Sequence, residues 1–244
     1  GTTTPLYADN EAQLLAKLTD AIKQAISGRL TFTTPAVMSD VSRGNFIYQA
    51  TFKYEKNKQW EGSLKKYPLK SDGTFGAEAW DAADVLDKKA SSNRKIFTTN
   101  INLSATTNNF TTSNRSILKR LIFPNIAATD DQADKLINFI RGQDTYDQDA
   151  DSNTSESIHK LADIYNSELV VVGMPEASTF NNGNANFQKT DRYYRAQNNY
   201  DTFKNSRECG GNCVNRTEVV IAGANNGILH AFKTSDGEEL WGYI

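Results

Sequence analysis

Cysteine and histidine are scarce in this 244-residue chain, with two of each. The cysteines stand together in Cys209-Gly-Gly-Asn-Cys213, and with only His159 and His230 elsewhere they fall short of a structural zinc site. The spacing also excludes a CxxC redox pair. Two readings stay open: a Cys209–Cys213 disulfide that shapes the loop, constraining the unfolded chain by roughly 2 kcal/mol, or two thiols in an exposed turn. Long apolar runs are missing as well, none approaching the roughly 20 residues of a membrane helix. Neither sign of charge dominates, with 27 Lys+Arg against 29 Asp+Glu, so no basic field marks a partner as nucleic acid or anionic lipid. There is no GxSxG nucleophile turn and no glycine-rich phosphate loop, and two isolated histidines make no catalytic constellation. The opening Gly1-Thr-Thr-Thr-Pro5 is no signal peptide and reads as a cut in a longer chain.

What the chain does contain is polar and turn-rich. Hydrophobic residues make up 38% of it, and the abundance of Asn, Thr, Ser and Asp favours a loop-rich, β-containing surface protein over a tight α/β enzyme. Leu14, Leu18, Ile22 and Ile26 recur at helical spacing within 9–27, with Asn10 and Gln13 as cap and Gly28 as stop. Strands follow at 34–38, 46–54 and 60–69; in the second, Phe46, Tyr48, Ala50, Phe52 and Tyr54 alternate onto one face. Helical spacing returns at 117–123 and 132–141. The run Leu169-Val-Val-Val-Gly173 reads as a strand buried on both faces, an Asn/Gly-rich loop spans 176–192, and 193–203 reads as one short helix. Three antiparallel strands close the chain, joined by Asn225-Asn226-Gly227 and Ser235-Asp236-Gly237. The last of them should leave an adhesive open edge.

The segment 144–156 places five carboxylates, Asp144, Asp147, Asp149, Asp151 and Glu156, in thirteen residues without a Lys or Arg. Closely spaced oxygen ligands suit a hard cation such as Ca²⁺. The segment is not an EF-hand, since Ser152 and Ile158 stand where its glycine and bidentate glutamate belong. A solvated acidic linker is the competing reading.

An internal repeat is also present. Gly62-Ser-Leu64-Lys-Lys-Tyr67, with Ser71-Asp72-Gly73 and Trp80 after it, parallels Gly227-Ile-Leu229-His-Ala-Phe232, with Ser235-Asp236-Gly237 and Trp241 after it. Repeated strand-turn-strand units point to a radially repeated β architecture, in which each unit covers its neighbour's edges.

The stretch Val219-Val-Ile-Ala-Gly223-Ala-Asn225-Asn-Gly227-Ile-Leu-His230-Ala-Phe232 resembles the V-V-x-V-G-A-N-D-G-M-L-H-A-F segment of the PilC/PilY family of type IV pilus biogenesis factors and tip-associated adhesins. Lys160-Leu-Ala-Asp163-Ile-Tyr-Asn-Ser167-Glu-Leu-Val-Val-Val-Gly173 is similar to that family's L-G-D-I-x-x-S-x-P-V-V-V-G segment. Support comes from 47–50, 60–64, 94–97 and 136–142, so that the likeness runs through most of 45–244. Asn226 departs from it, standing where the family has Asp.

The resemblance implies a mainly β fold with helical insertions: a partial β-propeller preceded by the terminal helix of a von Willebrand factor A-like domain. Residues 1–27 would be that helix, 28–100 a first β unit, 101–167 a helical and acidic-loop insertion, and 168–244 blade strands. The blade motif would comprise Gly223, Asn225, Gly227, His230 and Trp241. The implied function is non-enzymatic: pilus assembly and adhesion at the bacterial surface or pilus tip, reached through the periplasm and outer membrane. Pilin, minor pilins and a host or abiotic surface ligand would be the partners, without nucleic acid or membrane insertion. Residues 231–241 also resemble the A-x-D-x-x-T-G-x-x-x-W repeat of quinoprotein dehydrogenase propellers, which implies an oxidoreductase. A third possibility is a structural subunit whose open edges a partner chain covers.

Overall fold

A computed structural model describes residues 36–40, 44–54, 59–99, 109–165, 167–181, 183, 185–206 and 213–244. The expected helix at 9–27, and with it the link to a preceding domain, lies outside these residues, as does Cys209. The described elements run β1 (Ala36–Asp40), β2 (Gly44–Lys53), β3 (Glu61–Pro68), β4 (Trp80–Asp81), α1 (Ala82–Lys88), β5 (Ile96–Phe97), α2 (Arg115–Ile122), α3 (Asp130–Ile140), β6 (Val170–Val172), α4 (Asp191–Gln197), α5 (Tyr200–Lys204), β7 (Val219–Gly223), β8 (Leu229–Lys233) and β9 (Glu239–Tyr243). The architecture is therefore mixed sheet and helix, with two sheets and no closed barrel among the described residues.

The first sheet is antiparallel, in the order β1-β2-β3-β4. Tyr48, Ala50 and Phe52, on one face of β2, are buried, as the alternation in sequence predicts. Asp81 ends β4 and starts α1, its carboxylate accepting the Ala83 N–H at 3.0 Å. Trp80 then leaves the sheet for its neighbour: its indole N–H donates to Thr234 O at 3.2 Å, and its ring lies against Gly237.

The second sheet runs β5-β9-β8-β7-β6. Both turns of its β7-β8-β9 meander keep a glycine in the left-handed region, Gly227 at φ 82° and Gly237 at φ 74°. At the first turn the two asparagines stay out of that region, so only Gly227 supplies the positive φ. The outer edge of β9 is not open. Ile96 and Phe97 pair parallel to Gly242 and Tyr243, which corrects the expected free edge. The partner strand comes from about 145 residues upstream, beyond the reach of any local pattern.

The valine run is corrected too. Among the described residues it forms an edge strand paired with β7 alone, and Val170 is 46% exposed. β-Branched residues suit an edge as well as a centre, because propensity reports the pleat and not its depth. The helix expected at 193–203 is two helices, interrupted at Asn199, whose φ is 55°. α2 and α3 lie where the spacing puts them. A capping box between Thr129 and Gln132 starts α3. Gly142, at φ 99°, stops it: its N–H and that of Gln143 return to the Phe139 and Asn138 carbonyls.

One apolar core joins the sheets, with Tyr48, Leu64, Trp80 and Leu86 from the first side meeting Val220, Ala222 and Phe232 from the second. A smaller core of Ile96, Phe110, Leu118 and Ile137 seats α2 and α3 beside β5.

Candidate functional site

The two segments that carry the family resemblance meet in space. Asp163 is buried, and its carboxylate accepts the Asn225 amide at 2.6 Å while its carbonyl accepts the Asn225 backbone N–H at 2.9 Å. Four residues on, Ser167 Oγ accepts the Gly223 N–H at 3.1 Å. β6 then pairs with β7. Burial raises the Asp163 carboxyl above the usual carboxylate range, and the Asn225 amide opposes that shift. Gly223 is tight for a packing reason, since a Cβ there would lie 3.2 Å from Ser167 Oγ. This junction fixes the β7–β8 turn by side-chain bonds across about sixty residues of sequence.

His230 and Glu239 form a second buried knot with Arg94. Glu239 receives Arg94 through two nitrogens, Nε at 2.9 Å and Nη2 at 2.8 Å, and its Oε1 lies 2.9 Å from His230 Nδ1. All three side chains are fully buried. Burial pushes the Glu239 carboxyl up, but the bonds from Arg94 and His230 outweigh it and hold the group down at about 2. Burial dominates at His230 and lowers its pKa. The imidazole is then neutral and donates from Nδ1, and its Nε2 has no partner among the described residues. Arg141, lowered to about 10 chiefly by burial, braces the same region by donating to the carbonyls of Phe110, Ser91, Ser92 and Arg94. Sequence reading placed His230 in a strand but gave no sign of these partners, which lie far apart in the chain. Trp241, the remaining blade-motif residue, is half-buried and pairs with Ala231.

The acidic loop brings its carboxylates together. Oxygens of Asp144, Asp149 and Glu156 lie within 4.8 Å of one another, as do those of Asp147, Asp149 and Asp151, so Asp149 belongs to both groups. The loop is closed at its base by the Asp144 N–H to Glu156 O bond at 2.9 Å and a Gln143–Ser157 bridge. Asp147, Ala150 and Ser152 adopt positive φ, which folds the segment tightly on itself. Partial desolvation, and then the charges of Asp151, Asp149, Asp144 and Asp147, raise the Glu156 carboxyl. All-oxygen donors in this arrangement fit a hard divalent cation. A cleft of about 180 Å³ beside the loop is lined by Gln59, Glu61, Asp144, Glu156 and His159, among others. Cys213 is buried, with Ser206 Oγ at 3.8 Å from its sulfur. No described helix is long and apolar enough to cross a membrane.

Comparison with known proteins gives the class of protein first: the matched relatives are type IV pilus biogenesis factors, which supports the PilC/PilY resemblance carried by the junction segments. In particular, two proteins named Type IV pilus biogenesis factor PilY1, from Pseudomonas aeruginosa strains PAK and PAO1, are each 27% identical over 252 residues, covering 97% of this chain and 20% of the relative. The protein of the same name from strain UCBPP-PA14 is 27% identical over 206 residues, covering 82% of this chain and 16% of its own length. The chain thus spans about a fifth of the length of the curated relatives it matches. No protein-family model matches the chain, and no solved structure matches it.

Proposed function

We propose that this chain is a segment of a bacterial surface protein that promotes type IV pilus assembly and adhesion by binding rather than by catalysis. The Asp163–Asn225 junction carries the reading, because family-like residues of two distant segments form one hydrogen-bonded unit, with the Asp163 side buried and the Asn225 side exposed. In this reading the two sheets are consecutive blades of a β-propeller that follows a von Willebrand factor A-like domain ending in the helix at 9–27. The internal repeat supports it: Leu64 is buried in the core shared by the sheets, whereas its counterpart Leu229 is 40% exposed on the far face of the second sheet. Val170, Ile221, Trp241 and Tyr243 share that face by register, and a further blade would cover it.

The protein would act at the cell surface or pilus tip after export through the periplasm and outer membrane. Its partners would be pilin, minor pilins and a surface ligand. In that oxidising setting a Cys209–Cys213 disulfide would close the loop before β7, and the acidic loop would hold Ca²⁺ through Asp144, Asp147, Asp149, Asp151 and Glu156. Deletion of the gene in the producing bacterium tests the functional reading. Surface pili, counted by electron microscopy, should be lost and should return with a plasmid-borne copy. An unchanged pilus count would overturn it.

A further inference from the structure

The segment that leaves the acidic loop runs antiparallel beside the start of β3 before it reaches the junction. Leu161 O accepts the Gly62 N–H at 2.8 Å, and Glu61 bridges Ala162. The fit requires glycine at 62, since a Cβ there would lie 2.1 Å from Ala162 O. His159 sits where the two segments meet, between two acceptors, with Nδ1 2.8 Å from Asp87 Oδ2 on α1 and Nε2 2.8 Å from Gly62 O on β3.

Neither acceptor has a proton to give. The carbonyl has none, and the Asp87 carboxyl is held below the usual range by His159 and Lys160 despite its burial. Both ring nitrogens must therefore donate, which only the imidazolium can do. A neutral ring carries one N–H, so one contact would set two lone pairs against each other and would have to open. We propose that His159 is a pH-sensitive latch that fastens the exit of the acidic loop to the first sheet when protonated and releases it when neutral.

The charges around the ring agree. Asp87 faces it from α1 and Glu61 from β3, while Asp144, Asp149 and Glu156 line the same cleft. Two cations lie among these groups: Lys160, whose ammonium is engaged by Asp87 O and Ser157 Oγ at 2.9 and 2.8 Å, and Lys53, which pairs with Glu61 at 3.4 Å. Burial disfavours the imidazolium, but Asp87, the Gly62 carbonyl and Glu61 outweigh it, so the pKa of His159 is raised. A raised folded pKa means that the latch contributes fully below the unfolded value, about 6.5, and is lost as pH rises through the folded value. The working window therefore lies above about 6.5. The latch contacts themselves are made by Asp87, Gly62 and Lys160.

The chain has only two histidines, which makes the test direct. Imidazole ¹⁵N spectra of the full chain should show both His159 nitrogens protonated at pH 6.5 and a titration above that value, while His230 stays neutral. The amides of Gly62 and Lys160, which donate to Leu161 O and Asp87 Oδ1, should lose exchange protection across the same titration, after correction for intrinsic rates. In His159→Gln that loss should be absent. Titration of His159 at or below 6.5, or amide protection that ignores its titration, overturns the latch. The wild-type measurements decide even if the variant fails to fold.

Discussion

Glu239 keeps its charge in a fully buried site because Arg94 offers two nitrogens to it and His230 a third. An ion pair so placed repays its desolvation only while complete, and removing one partner leaves the other charged without compensation. Arg94→Met should therefore cost about 3–5 kcal/mol in a denaturant titration. The pH dependence has a definite sign. The carboxyl titrates at about 2 when folded against 4.5 unperturbed. The stability it supplies is present above 4.5 and drains away as pH falls towards 2. Glu239→Gln should flatten the acid limb of the stability curve between those values. An unchanged acid limb would show that the charge of Glu239 does not stabilise the fold.

At the scale of elements, the acidic loop is the piece whose function is most open to a single titration. Calorimetry on the full chain should detect Ca²⁺ binding, and Asp149→Asn, which touches both carboxylate groups, should weaken it by at least about tenfold. Asp72→Asn, in an exposed turn, should leave it unchanged. Absence of heat at millimolar Ca²⁺ would return the loop to a solvated linker. The clustering of these carboxylates was legible in sequence because they are close neighbours along the chain, as were the glycine turns at 227 and 237 and the helical spacing of α2 and α3. Where two distant strands decide the outcome, local pattern has nothing to offer. Val170–Val172 carries the same residues whether it lies at a centre or an edge, and Ile96–Phe97 is too short to announce that it will pair with β9. The break at Asn199 was hidden because the helical spacing of its tyrosines continues across it.

Across the whole molecule, the two sheets are joined by apolar packing and, among the described residues, by polar links that include the Thr234 carbonyl. Thr234 O accepts both the Trp80 indole and the Lys66 ammonium, the latter at 2.7 Å, and the ammonium also lies 3.8 Å from the centroid of the Phe46 ring. The Asp163–Asn225 junction stands on the same core, since Ile164 and Ala224 beside it belong to it. The arrangement makes the junction the point where the loop exit, the edge strand β6 and the β7–β8 turn are held in register. Its importance can be measured by rescue of the deletion strain with the whole protein carrying Asp163→Ala and Asn225→Ala, beside a copy carrying Tyr194→Ala at an exposed position. The Tyr194 copy should restore surface pili and the junction copy should not; equal pilus counts from both would show that the junction is not needed for pilus assembly.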